Sequence, residues 1–405
     1  MGIGADRCFN QKTKLKIFLS FLQSEKQYPI PSYKFWEHYI KNGITEAGNE
    51  WTECPGADWA FGLVPKNEEA HLKWKRDIWA DTIDWLKKNP ADIFLSYLYP
   101  DQIDVASINK IQNMGIPCVN FFCDHIRNYK DVPAEFAVFD LNWVPEYKAA
   151  QWYEKAGYPY IDLPMPMWID PQYRVLKTEA NKQITFIGSK DIQRLLLFEE
   201  VIRQAQDIPL AIYGIGWKNT EVSFDPVSTN YTLSQKVRFN FDFIAQQGLI
   251  PYWRKIQQRN IDTAVSAQLE TKIHGTPTFD QYNALIAESM ITLGANRYPS
   301  FRFPLSKPDS YSRLRDIEAP MLGACYLTEY TEGIENLYDT ENEIAVYKNA
   351  AELITKVTEL QSDSDKRKKL KISGQQRALQ DHTIPISLNK IFNALGLKNK
   401  WTLQN

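Results

Sequence analysis

Apolar runs of strand length alternate with amphipathic segments of helix length along most of this chain, and that alternation constrains the fold most strongly. Strands joined through helices pair in parallel, because the helix carries the chain back to the starting edge of the sheet. Strands are predicted at 14–20, 92–96, 116–122, 138–144, 160–163, 183–187, 210–213, 270–273, 289–293, 324–327 and 343–347. Helices are predicted at 33–41, 68–88, 103–114, 146–155, 191–205, 233–246, 251–267 and 278–288. The pattern predicts an α/β fold with two Rossmann-like, doubly wound parallel sheets.

The length of the chain indicates two domains. A chain of 405 residues exceeds the usual size of one hydrophobic core. The prolines of Pro164–Met167 cannot continue a strand, so this segment is predicted to leave the first domain as a hinge. We place the first domain at 1–165 and the second at 166–385, and assign 386–405 to a helix and tail that can pack back on the first domain.

Charge and cysteine usage exclude several classes of protein. The 47 Lys and Arg residues nearly balance the 49 Asp and Glu residues, which argues against a large nucleic-acid footprint. Five cysteines are scattered without a CxxC pair, which favours a reducing compartment and disfavours a zinc site. No apolar run reaches the roughly 20 residues that span a bilayer, and no signal-peptide core opens the sequence. We therefore expect a soluble cytoplasmic protein.

The stretch from Ser312 to Thr383 holds the clearest site pattern. Arg315 and Glu318 are three residues apart, so they share a face if the segment is helical. A small-residue turn at Gly323 and an apolar strand follow. A cation, a carboxylate and a helix start at the carboxyl edge of a sheet suit a phosphorylated ligand that carries a ribose.

A second candidate anion site follows the strand predicted at 183–187. Gly188, Ser189 and Lys190 form a turn before a helix that contains Arg194, so free backbone N–H groups and two cations could hold an anion. An ordinary helix start capped by Ser is the alternative. Gly214 begins a GxG pattern after the next strand, but the GxGxxG dinucleotide fingerprint fails because Asn219 replaces its last glycine.

The strand ends of the first domain hold the candidates for proton transfer. Asp124 and His125 follow an apolar strand directly, so they are expected at its carboxyl edge, facing a ligand cleft. A histidine near its ordinary pKa exchanges protons at neutral pH, and Asp124 could act as the base or orient it. A turn or a helix cap is the alternative interpretation of this pair. Glu146 and Asp101 are reserve candidates.

Several motifs, in order, resemble the spore-maturation (CgeB-type) glycosyltransferase family, which is similar to GT-B glycosyltransferases. The motif that is specific to the family is RDIEAPMLGACYLTEY at 315–330. The others are NFFCDHIRNY, LNWVPEYKAA, LPMPMW, FIGSK, IYGIGW, IHGTPTFDQY, MITLGANR, EIAVYKN and DHT. The resemblance implies a GT-B fold with a cleft between the domains, an acceptor in the first domain and a nucleotide sugar in the second. Glu318 corresponds to the carboxylate that binds the ribose hydroxyls, whereas Ser310 stands where many retaining relatives carry Glu.

The resemblance implies a transferase that moves a sugar from a nucleotide diphosphate to a glycan, lipid-linked glycan, protein or small molecule. No acidic pair of the DxD type stands out at a strand end of the second domain, so no metal or other cofactor is required. Binding of the diphosphate and sugar is assigned to the backbone after Gly188 and to the following residues: Ser189, Lys190, Arg194, Gly214, Arg297, Arg313, Arg315, Thr328 and Glu329.

Two other classes remain open. One is a nucleotide-sugar or glycan-binding protein that keeps the fold without turnover, and the other is an NAD(P)-dependent oxidoreductase, which the failed fingerprint disfavours. The expected partners are a nucleotide sugar and a carbohydrate or glycoconjugate acceptor, without nucleic acid. Association with a membrane surface is expected only if the acceptor is linked to a lipid.

Overall fold

The computed structural model describes residues 14–28, 30, 33–218, 237, 240, 241, 243–245, 247–259, 261 and 263–397. The chain divides into two compact units, Met1–Trp168 with Asp381–Asn405, and Ile169–Gln380. Each unit contains one six-stranded sheet in which every pair of neighbouring strands is parallel. This arrangement confirms the predicted α/β fold with two parallel sheets.

The sheet of the first unit has the strand order β2-β1-β3-β4-β5-β6. Its strands are β1 (Lys16–Ser20), β2 (Glu50–Thr52), β3 (Ile93–Ser96), β4 (Cys118–Phe121), β5 (Leu141–Val144) and β6 (Tyr160–Asp162). The described helices of this unit are Tyr33–Glu46, Glu68–Lys88, Val105–Gln112, His125–Asn128, Tyr147–Ala156 and Ile384–Ala394. Short 3₁₀ turns lie at Ala60–Leu63, Pro100–Gln102 and Ala134–Val138.

The sheet of the second unit has the order β12-β11-β10-β7-β8-β9. Its strands are β7 (Ile184–Ile187), β8 (Leu210–Tyr213), β9 (Ile273–Gly275), β10 (Ile291–Gly294), β11 (Tyr326–Glu329) and β12 (Ala345–Tyr347). The described helices are Ile192–Gln204, Leu249–Gln258, Ala267–Glu270, Phe279–Glu288, Arg315–Met321, Ala350–Ser362 and Ser364–Asp381, with 3₁₀ turns at Pro171–Tyr173 and Ile334–Asn336.

The last helix belongs to the first unit. Ile384–Ala394 packs on the helix Tyr33–Glu46, where Gly43 allows the close approach. A Cβ atom on Gly43 would lie 2.5 Å from the side chain of Ile384. A larger residue at position 43 would therefore force these two helices apart.

Three predicted elements differ from the structure. The strand predicted at 270–273 is wrong in its first part, because Ser266 accepts a hydrogen bond from Leu269 N and starts the Ala267–Glu270 helix. The strand predicted at 138–144 is shorter, since its start is the 3₁₀ turn Ala134–Val138. The helix predicted at 251–267 is the Leu249–Gln258 helix.

Two other segments complete this comparison. The short strand β2 pairs with β1 at the edge of the first sheet, and the sequence pattern missed it. Much of the helix predicted at 233–246, and the region just before it, lies outside the described residues.

Candidate functional site

A charged cluster lies at the carboxyl edge of the second sheet. Arg315 and Glu318 begin the Arg315–Met321 helix, and their Nη1 and Oε2 atoms are 2.7 Å apart. The hydroxyl of Tyr282 donates to the same Oε2 over 3.0 Å, and its ring lies 5.2 Å below the guanidinium of Arg315. Arg315 also donates from Nη2 to the carbonyl of Ile187, the last residue of β7, over 3.2 Å. The spacing of three residues thus produces the shared face that the sequence predicts.

Burial and charge act in opposite directions on the pKa of Arg315. Burial alone would lower the pKa, but the charge of Glu318 and the nearby Tyr282 hold it above its ordinary value. Burial raises the pKa of Tyr282, which is therefore a neutral donor to the Glu318 carboxylate. The cluster keeps a permanent cation and a carboxylate side by side.

Asp316 fixes this turn to the strands beneath it. Its carboxylate is buried and accepts from the backbone N–H of Arg313 over 3.1 Å. Four side chains also donate to it over 2.7–3.0 Å, namely Asn296, Ser312, Tyr326 and Thr328. Because Tyr326 and Thr328 belong to β11, the acid ties the first turn of the helix to the end of that strand. Asp316 therefore positions the neighbouring Arg315 and Glu318.

Arg297 and Glu329 form a buried pair. Arg297 Nε lies 2.8 Å from Oε1 of Glu329, and the backbone N–H of Arg297 donates to Oε2 over 3.0 Å. Burial alone would lower the pKa of Arg297, but its hydrogen bonds to Glu329 raise it. The prediction that Glu329 contacts the donor sugar or phosphate is corrected, since both of its oxygens are engaged by Arg297.

The prediction that Thr328 contacts the donor sugar or phosphate is also corrected, because its side chain has an internal partner. The residue is fully buried, and its hydroxyl donates to Asp316 over 2.9 Å. A side chain in this position supports the site from within the sheet and has no surface to offer a ligand.

The turn after β7 uses its backbone groups internally. The N–H of Gly188 donates to Tyr213 O over 2.8 Å, and the N–H of Lys190 donates to Ile215 O over 2.9 Å. Asp191 caps the Ile192–Gln204 helix by accepting from two of its first N–H groups. The N–H groups of Gly188 and Lys190, which were predicted to be free, are therefore taken by carbonyls at the end of β8 and in the loop after it.

Glycine is required at position 214 because the loop after β8 passes close to the backbone of the turn after β7. Gly214 has φ +134, and a Cβ atom there would meet the carbonyl oxygen of Gly188 at 2.3 Å. That carbonyl also accepts from the indole N–H of Trp217 over 2.7 Å. Gly214 thus lets two loops approach each other, and this contact accounts for the glycine without a ligand.

Three guanidinium groups lie near one another at this edge. Burial is the main cause that lowers the pKa of Arg194 to about 10, and the charges of Arg313 and Arg315 lower it further. Arg194 donates to the carbonyl of Ser189 over 2.8 Å, and Arg313 donates to the carbonyl of Arg297 over 3.2 Å. Like charges gathered at one edge are stabilised by an anion.

Lys190 and Ser189, which were predicted to bind the donor, have internal partners, and so does Ser310. The ammonium of Lys190 donates to the carbonyl of Thr263 over 3.1 Å. The hydroxyl of Ser310 donates to the carbonyl of Tyr330 over 3.3 Å. Ser189 accepts a weak contact from Arg194 at 3.3 Å and belongs to the turn itself.

His125 is buried at the carboxyl edge of the first sheet. Its Nδ1 lies 2.9 Å from Oε2 of Glu146, and its Nε2 lies 2.8 Å from the hydroxyl of Tyr153. Burial lowers the pKa of His125 to about 3. The prediction that His125 faces a cleft and exchanges protons at neutral pH is therefore wrong. It is a neutral ring with both nitrogens occupied, and Glu146 serves as its partner.

Asp124 is placed differently from its neighbour. Its side chain is half-buried, and Oδ2 accepts from the hydroxyl of Tyr99 over 2.8 Å and of Tyr97 over 3.3 Å. Burial raises the pKa of both tyrosines, so they act as neutral donors. Two hydroxyls on one oxygen hold the carboxylate in one orientation.

Sequence reasoning missed Tyr282, Asp316 and Asn296 as members of the second-sheet site. Tyr282 lies in a helix with a largely apolar face, and only the fold shows that its hydroxyl reaches Glu318. The RDxE order at 315–318 offers a signal for Asp316, because a carboxylate between two site residues in one helical turn points away from them.

Residues 193–392 match a family model described as glycosyl transferase-like. No curated protein matches the chain. A glycosyltransferase from Rickettsia africae superposes with a TM-score of 0.58 at 12% identity, covering 95% of this chain and 100% of that one. Sucrose-phosphate synthase from Thermosynechococcus elongatus gives 0.56 at 11% identity, covering 95% and 99%. The protein has the GT-B fold.

A third structure with this fold was determined with a ligand. Anabaena HepE in complex with UDP-glucose superposes on the chain with a TM-score of 0.54 at 11% identity, covering 94% of this chain and 99% of that chain. The GT-B fold and the glycosyl transferase-like domain agree with the resemblance seen in the sequence. Membership of the CgeB-type family itself stays a prediction. Among the described helices, none is both long enough and apolar enough to cross a bilayer.

Proposed function

We propose that the protein is a glycosyltransferase that uses a nucleoside diphosphate sugar as its donor. The observation that carries the proposal is the cluster of Tyr282, Arg315 and Glu318 beside Arg194 and Arg313. A carboxylate next to gathered cations matches a ligand that presents hydroxyls beside a diphosphate. HepE, which shares the fold, was determined with UDP-glucose, and this supports a donor of that class.

Glu318 is assigned to the ribose. Its contacts with Arg315 and Tyr282 both go to Oε2, and in the described part of the chain no donor contacts Oε1. A carboxylate held through one oxygen can accept hydrogen bonds from a cis-diol through the other. Arg315, Arg194 and Arg313 are assigned to the diphosphate, whose charge grows as the sugar leaves.

The reaction itself is an exchange at the anomeric carbon of the donor sugar. An acceptor O–H forms the new bond to that carbon, the bond to the diphosphate oxygen breaks, and the nucleoside diphosphate leaves with the electron pair. Asp124 is assigned to take the acceptor proton, because its carboxylate is held by two tyrosines and His125 is buried. Cationic side chains supply the charge neutralisation, so the transfer is proposed to be independent of metal.

The acceptor is assigned to the first unit. A cavity of about 600 Å³ lies near Asp124, with Tyr99, Tyr129 and Pro100 as flat apolar walls and Lys66, His71 and Asp101 as polar ones. Aromatic and proline faces next to hydrogen-bonding groups suit a sugar ring, which has an apolar face and a polar rim. The acceptor class proposed is therefore a carbohydrate or a glycoconjugate.

A ligand panel tests the donor assignment. Calorimetric titrations and thermal shifts with UDP, GDP and dTDP are expected to identify one nucleoside diphosphate that binds and stabilises the protein, whereas CMP-sugars, which carry a single phosphate, are the comparison. Release of its nucleoside diphosphate in the presence of EDTA is expected when the matching nucleotide sugar is supplied. Stabilisation by NAD(P) alone would contradict the proposal and favour an oxidoreductase.

The buried position of His125 favours a second candidate, a protein that binds nucleotide sugars without transferring them. One of the two predicted proton acceptors is thereby removed from the reaction. Tight binding of a nucleoside diphosphate with no release of product from any sugar donor would support this candidate.

A further inference from the structure

The helix Ser364–Asp381 presents three polar side chains to the interior of the second unit. Arg367, Lys371 and Gln375 are spaced i, i+4 and i+8, so they form one row along the helix. Their exposed fractions are only 8%, 6% and 7%. We call these three residues the polar stripe. Buried polar groups need hydrogen-bonding partners, and the partners of this stripe are carbonyls at the carboxyl ends of other helices.

Lys371 caps the helix that carries Tyr282. Its ammonium donates to the carbonyl of Ala287, in the last turn of Phe279–Glu288, over 3.0 Å, and to the carbonyl of Lys177 over 2.8 Å. The other carbonyls of that last turn accept from Ser289, Thr292 and Ala180. A cation at this position is stabilised by the partial negative charge at the carboxyl end of a helix. Lys371 therefore fixes this end of the helix to the polar stripe.

Gln375 caps the helix that carries Arg315 and Glu318. Its Nε2 donates over 3.1 Å to the carbonyl of Met321, the last residue of Arg315–Met321. The three preceding carbonyls of this helix accept from backbone N–H groups that follow it in the chain. The side chain of Gln375 thus completes the hydrogen bonding of the carboxyl end.

Gly374 brings the polar stripe close to the site helix. A Cβ atom on Gly374 would lie 2.4 Å from the carbonyl oxygen of Glu343 and 3.9 Å from Cβ of Pro320, which belongs to Arg315–Met321. The absence of a side chain therefore permits this close packing. Because protein interiors are hard to compress, a shift of the stripe is transmitted to the helices that it contacts.

Arg367 caps a helix that holds none of the residues assigned to the donor. Its Nη1 donates to the carbonyl of Leu360, in the last turn of Ala350–Ser362, over 2.6 Å. Its Nε and Nη2 donate to the carboxylate of Glu179 over 2.8 and 3.0 Å. Arg367 therefore shares the burial and the capping role of the other two residues without capping a helix of the site.

We propose that Lys371 and Gln375 are positioning residues of the donor site. They hold the carboxyl ends of two helices whose first turns carry the Tyr282 hydroxyl and the Arg315–Glu318 pair. A hydrogen-bonded helix moves as a unit, so the loss of either cap displaces the site residues at the other end. This assignment rests on the proposed function, because the donor is the ligand that the positioned residues bind.

Calorimetric titration of substituted proteins tests the assignment. Lys371→Met and Gln375→Met keep the stem of each side chain and remove its hydrogen bonds. Each is expected to weaken binding of the tightest ligand among UDP, GDP and dTDP by about fivefold. Arg367→Met is the matched control from the same stripe. It is expected to unfold at a lower urea concentration than the wild type, as the other two variants do, and to bind the nucleotide as the wild type does.

A second measurement needs no nucleotide. The Nε–H signal of Arg315 in a proton–nitrogen NMR spectrum is identified by its loss in Arg315→Lys. This signal is expected to shift in Gln375→Met, and in Lys371→Met as well, because the ring of Tyr282 lies 5.2 Å from the guanidinium. It is expected to stay in place in Arg367→Met. Circular dichroism verifies folding, and if Lys371→Met does not fold, Gln375→Met decides the test.

Two results would overturn the assignment. One is that the folded Lys371→Met and Gln375→Met variants bind as the wild type does and leave the Arg315 signal unshifted. The other is a loss of affinity in Arg367→Met as large as theirs, which would show that reduced stability alone weakens binding. A wild type that binds none of the three nucleotides would contradict the proposed function. The Arg315 signal would then still show whether the two caps hold the cluster in place.

Discussion

The carboxyl edges of the two sheets carry similar residue types in sequence and opposite arrangements in space. In the first unit, His125 turns inward and both of its ring nitrogens are occupied by Glu146 and Tyr153. In the second unit, the inward-facing residue is Asp316, and its neighbours Arg315 and Glu318 form a pair at the edge. A charged residue after a strand can therefore belong to the core or to a site. Its long-range partner decides which.

The largest effect on the rate of sugar transfer is expected for a substitution of Asp124 in the first unit. Asp124→Asn removes a carboxylate that is assigned to proton transfer, so the rate of nucleoside diphosphate release should fall by about 10²–10⁴-fold. Donor affinity should change little, since the residue lies in the other unit from the Arg315 cluster. Asp81→Asn is the matched variant and should release the diphosphate as the wild type does, because Asp81 is an exposed acid of the Glu68–Lys88 helix and does not line the cavity. Equal rates for the wild type and Asp124→Asn would remove Asp124 from the reaction.

The contribution of the second unit's buried Asp316 to stability is tested by substitution. Asp316→Ala leaves five donors without their acceptor, so the free energy of unfolding should fall by about 3–5 kcal/mol. Urea unfolding compares this variant with Asp207→Ala, which changes an exposed acid in a turn of the same unit. If both variants unfold at the same urea concentration, Asp316 does not hold the Arg315–Met321 turn in place.

The burial of His125 makes stability depend on pH in a defined direction. The folded pKa is lowered to about 3 from an ordinary value of 6.5, so the unfolded chain gains a proton first as the pH falls. The free energy of unfolding should therefore decrease from pH 6.5 downward until about pH 3, by about 2 kcal/mol at pH 5.

His125→Gln isolates this contribution, because the amide can replace both hydrogen bonds and does not titrate. Urea unfolding from pH 7 to pH 5 should give a smaller loss of stability for this variant than for the wild type. His38→Gln, which changes an exposed histidine, should behave as the wild type does. The same pH dependence in the wild type and in His125→Gln would mean that His125 titrates normally.

Local patterns in the sequence predicted the sheets and part of the site. Strand-length apolar runs such as Ile184–Ile187 are buried on both faces of the sheet. Their apolar composition therefore predicts that they are strands inside a parallel sheet. The pair of Arg315 and Glu318 was predictable because both residues lie in one helical turn.

Contacts between distant residues were not predictable in this way. His125 meets Glu146 from 21 residues away, and Arg297 meets Glu329 from 32 residues away. Both contacts depend on which strands become neighbours in a sheet. The hydrophobic periodicity of one sequence does not specify the order of the strands. For the same reason, the sequence did not reveal that the N–H groups of Gly188 and Lys190 donate to carbonyls of β8 and the loop after it.

The most direct test of the donor site is a calorimetric titration of Glu318→Ala with the nucleoside diphosphate that binds the wild type. Losing a charged hydrogen-bonding partner of the ribose should weaken binding by about tenfold. Glu270→Ala, which changes an exposed glutamate before β9 at the opposite edge of the same sheet, should bind as the wild type does. Affinity unchanged in folded Glu318→Ala would show that the nucleotide does not bind at the Arg315 cluster.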